Sequence, residues 1–597
     1  MSEDVEGKVQ VIQNTLYAKA SQEPRAQFKR LYHNLFKAQW AEIAVDQVFR
    51  NQGSRTAGID GKARGDYRDE RARVNLTQSL IEELRTHTYH PQPVRRVYIP
   101  KANGKLRPLG IPTIRDRVVQ QMVKMLLEPI YEATFLPCSY GFRPNRSTWD
   151  ALAEAYYFLQ PIRHYHVVIE GDITNCFGTI HHGTLMRQLK RRIADDSVLR
   201  LIWQMLQAGY LEDLQQYATT EGTPQGGIVS PLLANVYLHQ LDEWLYYRFH
   251  TLTNAQRQQR ARKGEIAYVR YIRYADDFIV VTRHEEQAVI LKQEIAEFVT
   301  QQLKMTLNDE KTLITPASQG FDFLGVRTIV GSQNQAGKPM PYQIPSDKSI
   351  QAYRRKLKEL TRRNLDHLDP VQRLLSINRL IRGWANYHRW GNAKAAFRQL
   401  AYWTGLKVNR MLSRRQRTGQ RLFRQANMYP LSECANLKRW EKYAEWKTPS
   451  VLADENTRIG LLPMSVISTA EYWKYRGGKI PPAYGWQANT TDWRRRDADF
   501  ATDVQVIDEI DTMLATLGQR LWADEKYDLE YFLNRKLVLQ RDRYTCTQCG
   551  YRSQRKEGDV SDVEVHHLRP DGGHGLNNLT TVCRPCHRRL TTTERAG

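Results

Sequence analysis

The sequence predicts a multidomain α+β protein, and three observations carry that prediction. Its 597 residues are about four times the ~150 of a common single domain, so one hydrophobic core will not cover them. Between residues 91 and 330, strand-like runs such as Val94-Arg95-Arg96-Val97-Tyr98-Ile99 and Tyr165-His166-Val167-Val168-Ile169 alternate with helical patterns such as Arg117 to Leu127 and Pro231 to Trp244. Near the end, four of the seven cysteines crowd into the last 67 residues, as expected of a separate small module.

Taken in order, residues 1–90 read as an N-terminal helical extension that leads into the next region. A helix is expected from Ala26 to Phe49, because Phe28, Leu31, Leu35 and Phe36 recur at helical spacing. The mixed region, 91–330, follows. Over 331–410 the helical period returns with dense positive charge. Residues 411–530 are basic and aromatic without a clear period, and 531–597 form the cysteine-bearing module. No apolar stretch approaches the roughly 18 residues a membrane helix needs, so no spanning segment is expected. The acidic start, Met1 to Glu6, lacks the apolar core of a secretory signal. Few, unevenly spread cysteines fit a reducing compartment, and a cytoplasmic protein is expected, in a bacterial cytosol or its equivalent.

Charge is the informative part of the composition. Lys and Arg number 88 against 64 Asp and Glu, a net +24 that attracts polyanions, with nucleic acid the leading partner. Residues 351–430 alone hold 19 Lys and Arg against 3 acids. Interleaved there are Trp384, Tyr387, His388, Trp390, Tyr402 and Trp403, which are expected to stack on bases beside phosphate-binding arginines.

Two groups of residues carry chemistry. In the first, Tyr274-Ala275-Asp276-Asp277 reads as the turn of a β-hairpin with adjacent acids. Two carboxylates on a tight turn between apolar strands repel each other and lose solvation, a cost a divalent cation removes. The run Val167-Val168-Ile169 delivers a further acid, Asp172, to a strand end before Ile173, and the oxygen set suits Mg²⁺. Gly222 to Pro231 is a loop whose paired glycines allow close backbone approach to a ligand. Ile99 to Pro108 is a hairpin with an Asn103-Gly104 turn, and Lys101, Lys105 and Arg107 stand ready for a triphosphate. In the second group, Cys546-x-x-Cys549 and Cys583-x-x-Cys586 form two knuckles that can place four thiolates around one Zn²⁺.

These motifs stand in a telling order. Ala57-Gly58-Ile59-Asp60-Gly61, Lys101 to Pro112, Tyr140-Gly141-Phe142-Arg143-Pro144, the strand ending at Asp172, Pro224-Gln225-Gly226, Tyr274 to Asp277, Leu307 to Thr312 and Phe321 to Gly325 follow one another as in the group II intron-encoded reverse transcriptases, which the chain resembles over almost its whole length. The resemblance implies a right-hand polymerase: fingers and palm over 91–330, a helical thumb or maturase domain over 331–410 and a DNA-binding region over 411–530. It implies that Asp172, Asp276 and Asp277 are the catalytic palm carboxylates, with Asp172, Ile173 and Asp276 holding two Mg²⁺ ions. Lys101 and Arg107 would bind the phosphates of a deoxynucleoside triphosphate. Gln225 and Gly226 would position template or nucleotide, and Phe177 would exclude a 2′-hydroxyl. One departure is Gly178, where many members carry Asp.

Within the C-terminal module, Glu564-Val565-His566-His567, Leu576 to Leu579 with Asn578, and His587 resemble the HNH, or ββα-metal, nucleases. The mapping makes His567 the general base, Asn578 the residue that orients it, and His566 and His587 ligands of a divalent ion, Mg²⁺ or Mn²⁺. His566 stands where many such nucleases carry Asp. The implied function is a mobile-intron protein with three tasks: it assists splicing by binding intron RNA, nicks target DNA, and copies the RNA by target-primed reverse transcription. Two other readings stay open on the residues alone, a splicing factor without an active polymerase and a stand-alone reverse transcriptase of the retron or defence kind.

Overall fold

The computed structural model describes residues 3–100, 106–212, 215–217, 221–223, 226–333, 339–415, 427–437, 441–453, 456–469, 480, 482–485, 538–539, 541–552, 563–568, 579–587 and 589–590. They fall into two compact units, residues 1–346 with 471–490, and 347–470 with 491–597. No helix among the described residues is long and apolar enough to cross a membrane.

The first unit opens with helices α1 (Glu3–Gln22), α2 (Ala38–Arg50) and α3 (Glu70–Arg85). The helix expected from Ala26 begins only at Ala38. Asp195 captures the amides of Leu31 and Tyr32 at 2.6 and 2.9 Å, and Phe28 bridges to Ile193, so 26–37 is spent on tertiary bonds instead of a helical ladder. Strands β1 (Val94–Pro100) and β2 (Leu106–Ile111) form an antiparallel hairpin. Helix α4 (Ile114–Glu132) follows, its N-terminus capped by the Thr113 hydroxyl. Fifteen of its 19 residues are buried, Asp116, Arg117, Gln120 and Glu132 among them, so the helix runs through the core rather than along its surface. Trp40 and Gln13 donate to the Met122 and Met125 carbonyls, tying α2 and α1 to it.

Next come α5 (Thr148–Phe158), β3 (Val167–Asp172), α6 (His182–Lys190), α7 (Asp196–Gln207), β4 (Tyr210–Glu212), β5 (Gln215–Tyr217), α8 (Ser230–Leu245), α9 (Asn254–Arg262), β6 (Val269–Tyr274), β7 (Asp277–Thr282), α10 (Glu285–Gln301) and β8 (Ile314–Pro316). One sheet has the order β2-β1-β4-β5 and a second β6-β7-β3-β8. The second is antiparallel throughout, and α10 packs against β3. Its central strands are apolar on both faces because helices cover them: in β7 Phe278 to Thr282 are all buried. Strands β9 (Phe321–Phe323), β10 (Val326–Gln333) and β11 (Pro339–Pro345) close the unit, with the turn into β10 made by Leu324 and Gly325, both at positive φ as a two-residue hairpin demands.

The second unit contains α11 (Asp347–Leu360), α12 (Pro370–His388) and α13 (Lys394–Arg415), then β12 (Met428–Pro430), β13 (Lys447–Leu452) and β14 (Arg458–Gly460) in one small sheet. One core joins Leu374, Ile381 and Leu400 of the helices to Leu431, Ile459 and Leu462 beyond them. Asn378 stitches the two parts, donating to the Gly460 carbonyl and accepting from the Leu462 amide. The aromatic set of this region divides. Trp384 packs in the core with its indole on Ser349, and His388 is 2% exposed with its ring 4.4 Å from Trp384, so neither is free to stack on a base. Tyr402, 72% exposed, is open to solvent, while Trp403 lies under Arg354 and Lys407. The stretch from 428 to 467, aperiodic in sequence, thus owes its order to packing on helices rather than to a pattern of its own. Strands β15 (Val563–His567) and β16 (Leu579–Cys583) pair antiparallel near the end of the chain.

Candidate active sites

The three candidate carboxylates meet at one end of the second sheet. Asp172, the last residue of β3, pairs in register with Asp277, the first of β7, and Ala275-Asp276 make the turn from β6. Ala275 takes a φ of 58°, which lets a two-residue turn follow the strand twist and present Asp276 beside its partners. Burial raises the Asp276 carboxyl, Asp172 raises it further, and Arg107 and Lys311 pull it back. The strands beneath Asp277 act on it in the same direction, and repulsion from Asp276 and Asp172 adds to the effect, lifting it well above the usual carboxylate range. Asp276 and Asp277 therefore share a place that favours losing negative charge. Lys311 answers part of that need, its Nζ donating to Asp172 Oδ2 at 2.7 Å. The donor set and the carboxylate repulsion fit divalent cations. The Ile173 side chain is buried, leaving only its main-chain carbonyl to face an ion.

What holds the turn was not read from the sequence. Arg273 is fully buried, and its guanidinium is satisfied on every side: Nε and Nη2 donate to Asp242 at 2.7 and 2.6 Å, Nη2 also to Ser139 Oγ, and Nη1 to Asn235 Oδ1 and the Ala275 carbonyl. The ion pair thereby clamps the turn that carries Asp276. Asn235 and Asp242 lie seven residues apart, two turns along one face of α8, and that spacing was the available signal. From the other side, Gly141 meets the turn so closely that a Cβ there would stand 2.3 Å from the Ala275 nitrogen.

Around the acids, Phe177 sits in a 3₁₀ turn after β3, with the edge of Phe142 at 6.2 Å and its carbonyl accepting from the Thr223 amide. Gly178 packs on the Asn175 side chain, whose amide nitrogen a Cβ would meet at 2.2 Å, so a larger residue here would require that side chain to move. Arg107 is exposed on β2 and its charge reaches Asp276. Gly226, at φ 117°, approaches the chain's own backbone, with a Cβ there 2.3 Å from the Gly110 carbonyl. Lys101, Lys105, Gln225 and Asn578 lie outside the described residues.

In the terminal module, Cys546, Cys549, Cys583 and Cys586 converge until their sulfurs all lie within 4.8 Å of one another. The Cys549 and Cys583 sulfurs are 3.7 Å apart, close to the ~3.8 Å edge of a tetrahedron with Zn–S bonds of about 2.3 Å. Burial pushes the Cys546 thiol up, but amides of Cys583, Cys549 and Gln548 outweigh it and hold the group down at about 6. The neighbouring sulfur of Cys583 drives Cys586 up to about 12, as expected of thiols crowded together without a cation. The cluster can bind zinc. Beside it, His567 ends β15 opposite Leu579, and the rings of His566 and His587 are 5.1 Å apart. His587 Nδ1 is 3.0 Å from Glu564 Oε2, a partner sequence reasoning overlooked although Glu564 and His566 alternate on one face of β15. Such a carboxylate fixes the imidazole tautomer and turns Nε2 toward a metal.

Comparison with known proteins matches three regions of the chain. Residues 99–328 match the family described as reverse transcriptase (RNA-dependent DNA polymerase), 350–429 the group II intron maturase-specific domain, and 546–593 the HNH endonucleases. Protein YkfC of Escherichia coli (strain K12) is 36% identical over 357 residues, 57% of this chain and 93% of YkfC. The group II intron-encoded protein LtrA of Lactococcus lactis subsp. cremoris is 36% identical over 361 residues, covering 52% of this chain and 59% of LtrA. A putative COX1/OXI3 intron 2 protein of Saccharomyces cerevisiae is 32% identical over 292 residues, 42% of this chain and 34% of that protein. The chain belongs to the group II intron-encoded proteins that join a reverse transcriptase, a maturase domain and an HNH endonuclease domain.

Proposed function

We propose that the protein copies its intron RNA into DNA at a nicked DNA target, assists splicing by binding the folded RNA, and cuts the target strand that primes synthesis. The observation that carries this reading is the register of Asp172 against Asp277 with Asp276 on the intervening turn, in a chain that also bears maturase and HNH domains. Asp172, Asp276 and the Ile173 carbonyl would hold the Mg²⁺ pair. When bound, the ions supply the charge that eases deprotonation of the primer 3′-hydroxyl and departure of pyrophosphate. Lys311 donates to Asp172 and offsets part of its charge. Asp277, whose affinity for a proton is raised by burial and by Asp276 and Asp172, lines the same site. Arg107 and Lys101 neutralise the triphosphate, while Gln225 and Gly226 position the templating pair.

Phe177 lies against the place of the sugar and excludes a ribose 2′-hydroxyl. Phe177→Ala should raise ribonucleotide incorporation relative to deoxynucleotide by about 100-fold, the order at which an apolar pocket rejects an added hydroxyl. Competition primer extension measures this, and an unchanged ratio would remove the assignment.

In the nuclease, His567 takes the proton from water, Asn578 orients it, and His566 and His587 would hold a divalent ion. The four cysteines hold Zn²⁺ that shapes the module. His587→Ala should abolish DNA nicking with primer extension intact. Glu564→Gln should weaken Mn²⁺ binding by about 10-fold or more, read by titration calorimetry, since it acts through His587. Nicking by His587→Ala at the native rate would sink the mapping. The whole reading is tested by primer extension on an RNA template with Mg²⁺ and deoxynucleotides, where no product from intact protein would overturn it.

A further inference from the structure

At the end of the palm sheet opposite the carboxylates, cationic groups collect that no step above uses. His166 stands six residues before Asp172, a separation of about 20 Å along an extended strand. Its neighbours in register are the ends of β6 and β7, where Val167 and Val269 both face Thr282. There Arg283 lies over the Tyr268 ring at 3.5 Å and donates to the Arg163 carbonyl, while Arg163 lies over Tyr157 at 3.5 Å. Arg270 covers Phe158 at 4.7 Å. His164, His166 and His284 are exposed between them, and Ile162 beside them is 81% exposed. None of the three guanidinium groups forms an ion pair among the described residues, and their buried Nε atoms have no hydrogen-bond partner there. The nearest acids in sequence, Glu285 and Glu286, sit in the first turn of α10, where they complement the helix N-terminus.

We propose that this end of the palm is a docking surface for the phosphate backbone of folded RNA, separate from the catalytic cleft. The proposal rests on the RNA-binding function given above and adds a second contact to it. Stacking on tyrosine holds Arg163 and Arg283 in place, so little side-chain entropy is lost when they bind. The same stacking occupies the tyrosine faces, so bases have no open ring to stack on and the surface reads backbone rather than sequence. Guanidinium edges and imidazole N–H groups supply the donors that phosphate oxygens accept.

The test compares the full-length protein with Arg163→Glu/Arg283→Glu, binding the RNA that encodes the chain, transcribed with its flanking sequence and folded in Mg²⁺. The variant should bind at least 10-fold more weakly, and its log affinity against log salt should be shallower by about 1.5, one charge for each arginine lost. Extension of a short RNA–DNA primer–template should be unchanged, which shows the variant folded. If it is not, Arg163→Gln/Arg283→Gln removes the charge alone and should give the same loss of slope. Equal affinity and slope in an actively extending variant overturn the proposal, and would assign the patch to an acidic protein partner. Failure of the intact protein itself to bind RNA or extend a primer would fall on the wider functional reading.

Discussion

Asp276→Ala should abolish cDNA synthesis on an RNA template, with a loss of at least about 1,000-fold expected for a carboxylate proposed to hold the catalytic cations. The substitution removes charge from a crowded site, since Asp276 and Asp277 are both raised by burial and by each other or Asp172. Fold stability should therefore be unharmed or slightly improved, and thermal melting would show it. RNA affinity should persist, because the basic surface of α11 to α13 is remote in sequence and contributes nothing to the turn. A variant that melts normally, binds RNA and still makes full-length cDNA would remove Asp276 from the mechanism. Loss of synthesis together with loss of folding would say instead that the turn is structural.

Asp242→Ala has the second large effect, and it acts on the fold. Asp242 and Arg273 are both wholly buried, and opposing the desolvation that would raise it, Arg273 holds the Asp242 carboxyl well below the usual range. Deleting the carboxylate leaves a guanidinium charge without compensation in the palm core, which costs about 3–5 kcal/mol. The Arg273 bond to the Ala275 carbonyl loosens as the side chain seeks a new partner, so surviving protein should also extend primers more slowly. Denaturant unfolding measures the first effect and extension by the folded fraction the second. A double replacement of Asp242 and Arg273 by apolar residues of similar size should recover much of the stability while leaving the turn without its clamp. If Asp242→Ala unfolds at the same denaturant concentration as the native protein, the ion pair is not what secures this turn.

The two predictions differ in how far the sequence anticipates them. Asp276 was legible because adjacent acids between two β-rich runs are costly and so announce a cation. Asp242 was hidden because beside His239, Gln240 and Glu243 it reads as one more solvent-facing polar residue of the helix, and its partner lies 31 residues away. The same contrast runs through the rest. The hairpin at Tyr274 to Asp277, the end of β3 at Asp172 and the four-cysteine cluster all follow from local signals: period-two alternation, turn chemistry and the fixed spacing of metal knuckles. Helical spacing in Ala26 to Lys37 was real but lost to Asp195, whose carboxylate binds amides a helix would have used. The aromatics Trp384 and His388 looked like base-stacking residues because composition records which rings are present and not which way they face.

By itself, then, the sequence pointed to a polyanionic partner through charge, to the order of the domains through their motifs, and to the candidate residues for reactive groups. Tertiary structure decided which of those groups meet. It set Asp172 opposite Asp277, brought Lys311 onto Asp172, closed Gly141 on the Ala275 turn and placed Glu564 on His587. The physical reason is range. Propensity, turn chemistry and knuckle spacing act over a few residues and can be read along the chain, whereas buried ion pairs and backbone contacts join residues tens to hundreds of positions apart, and their energy exists only once the core has excluded water.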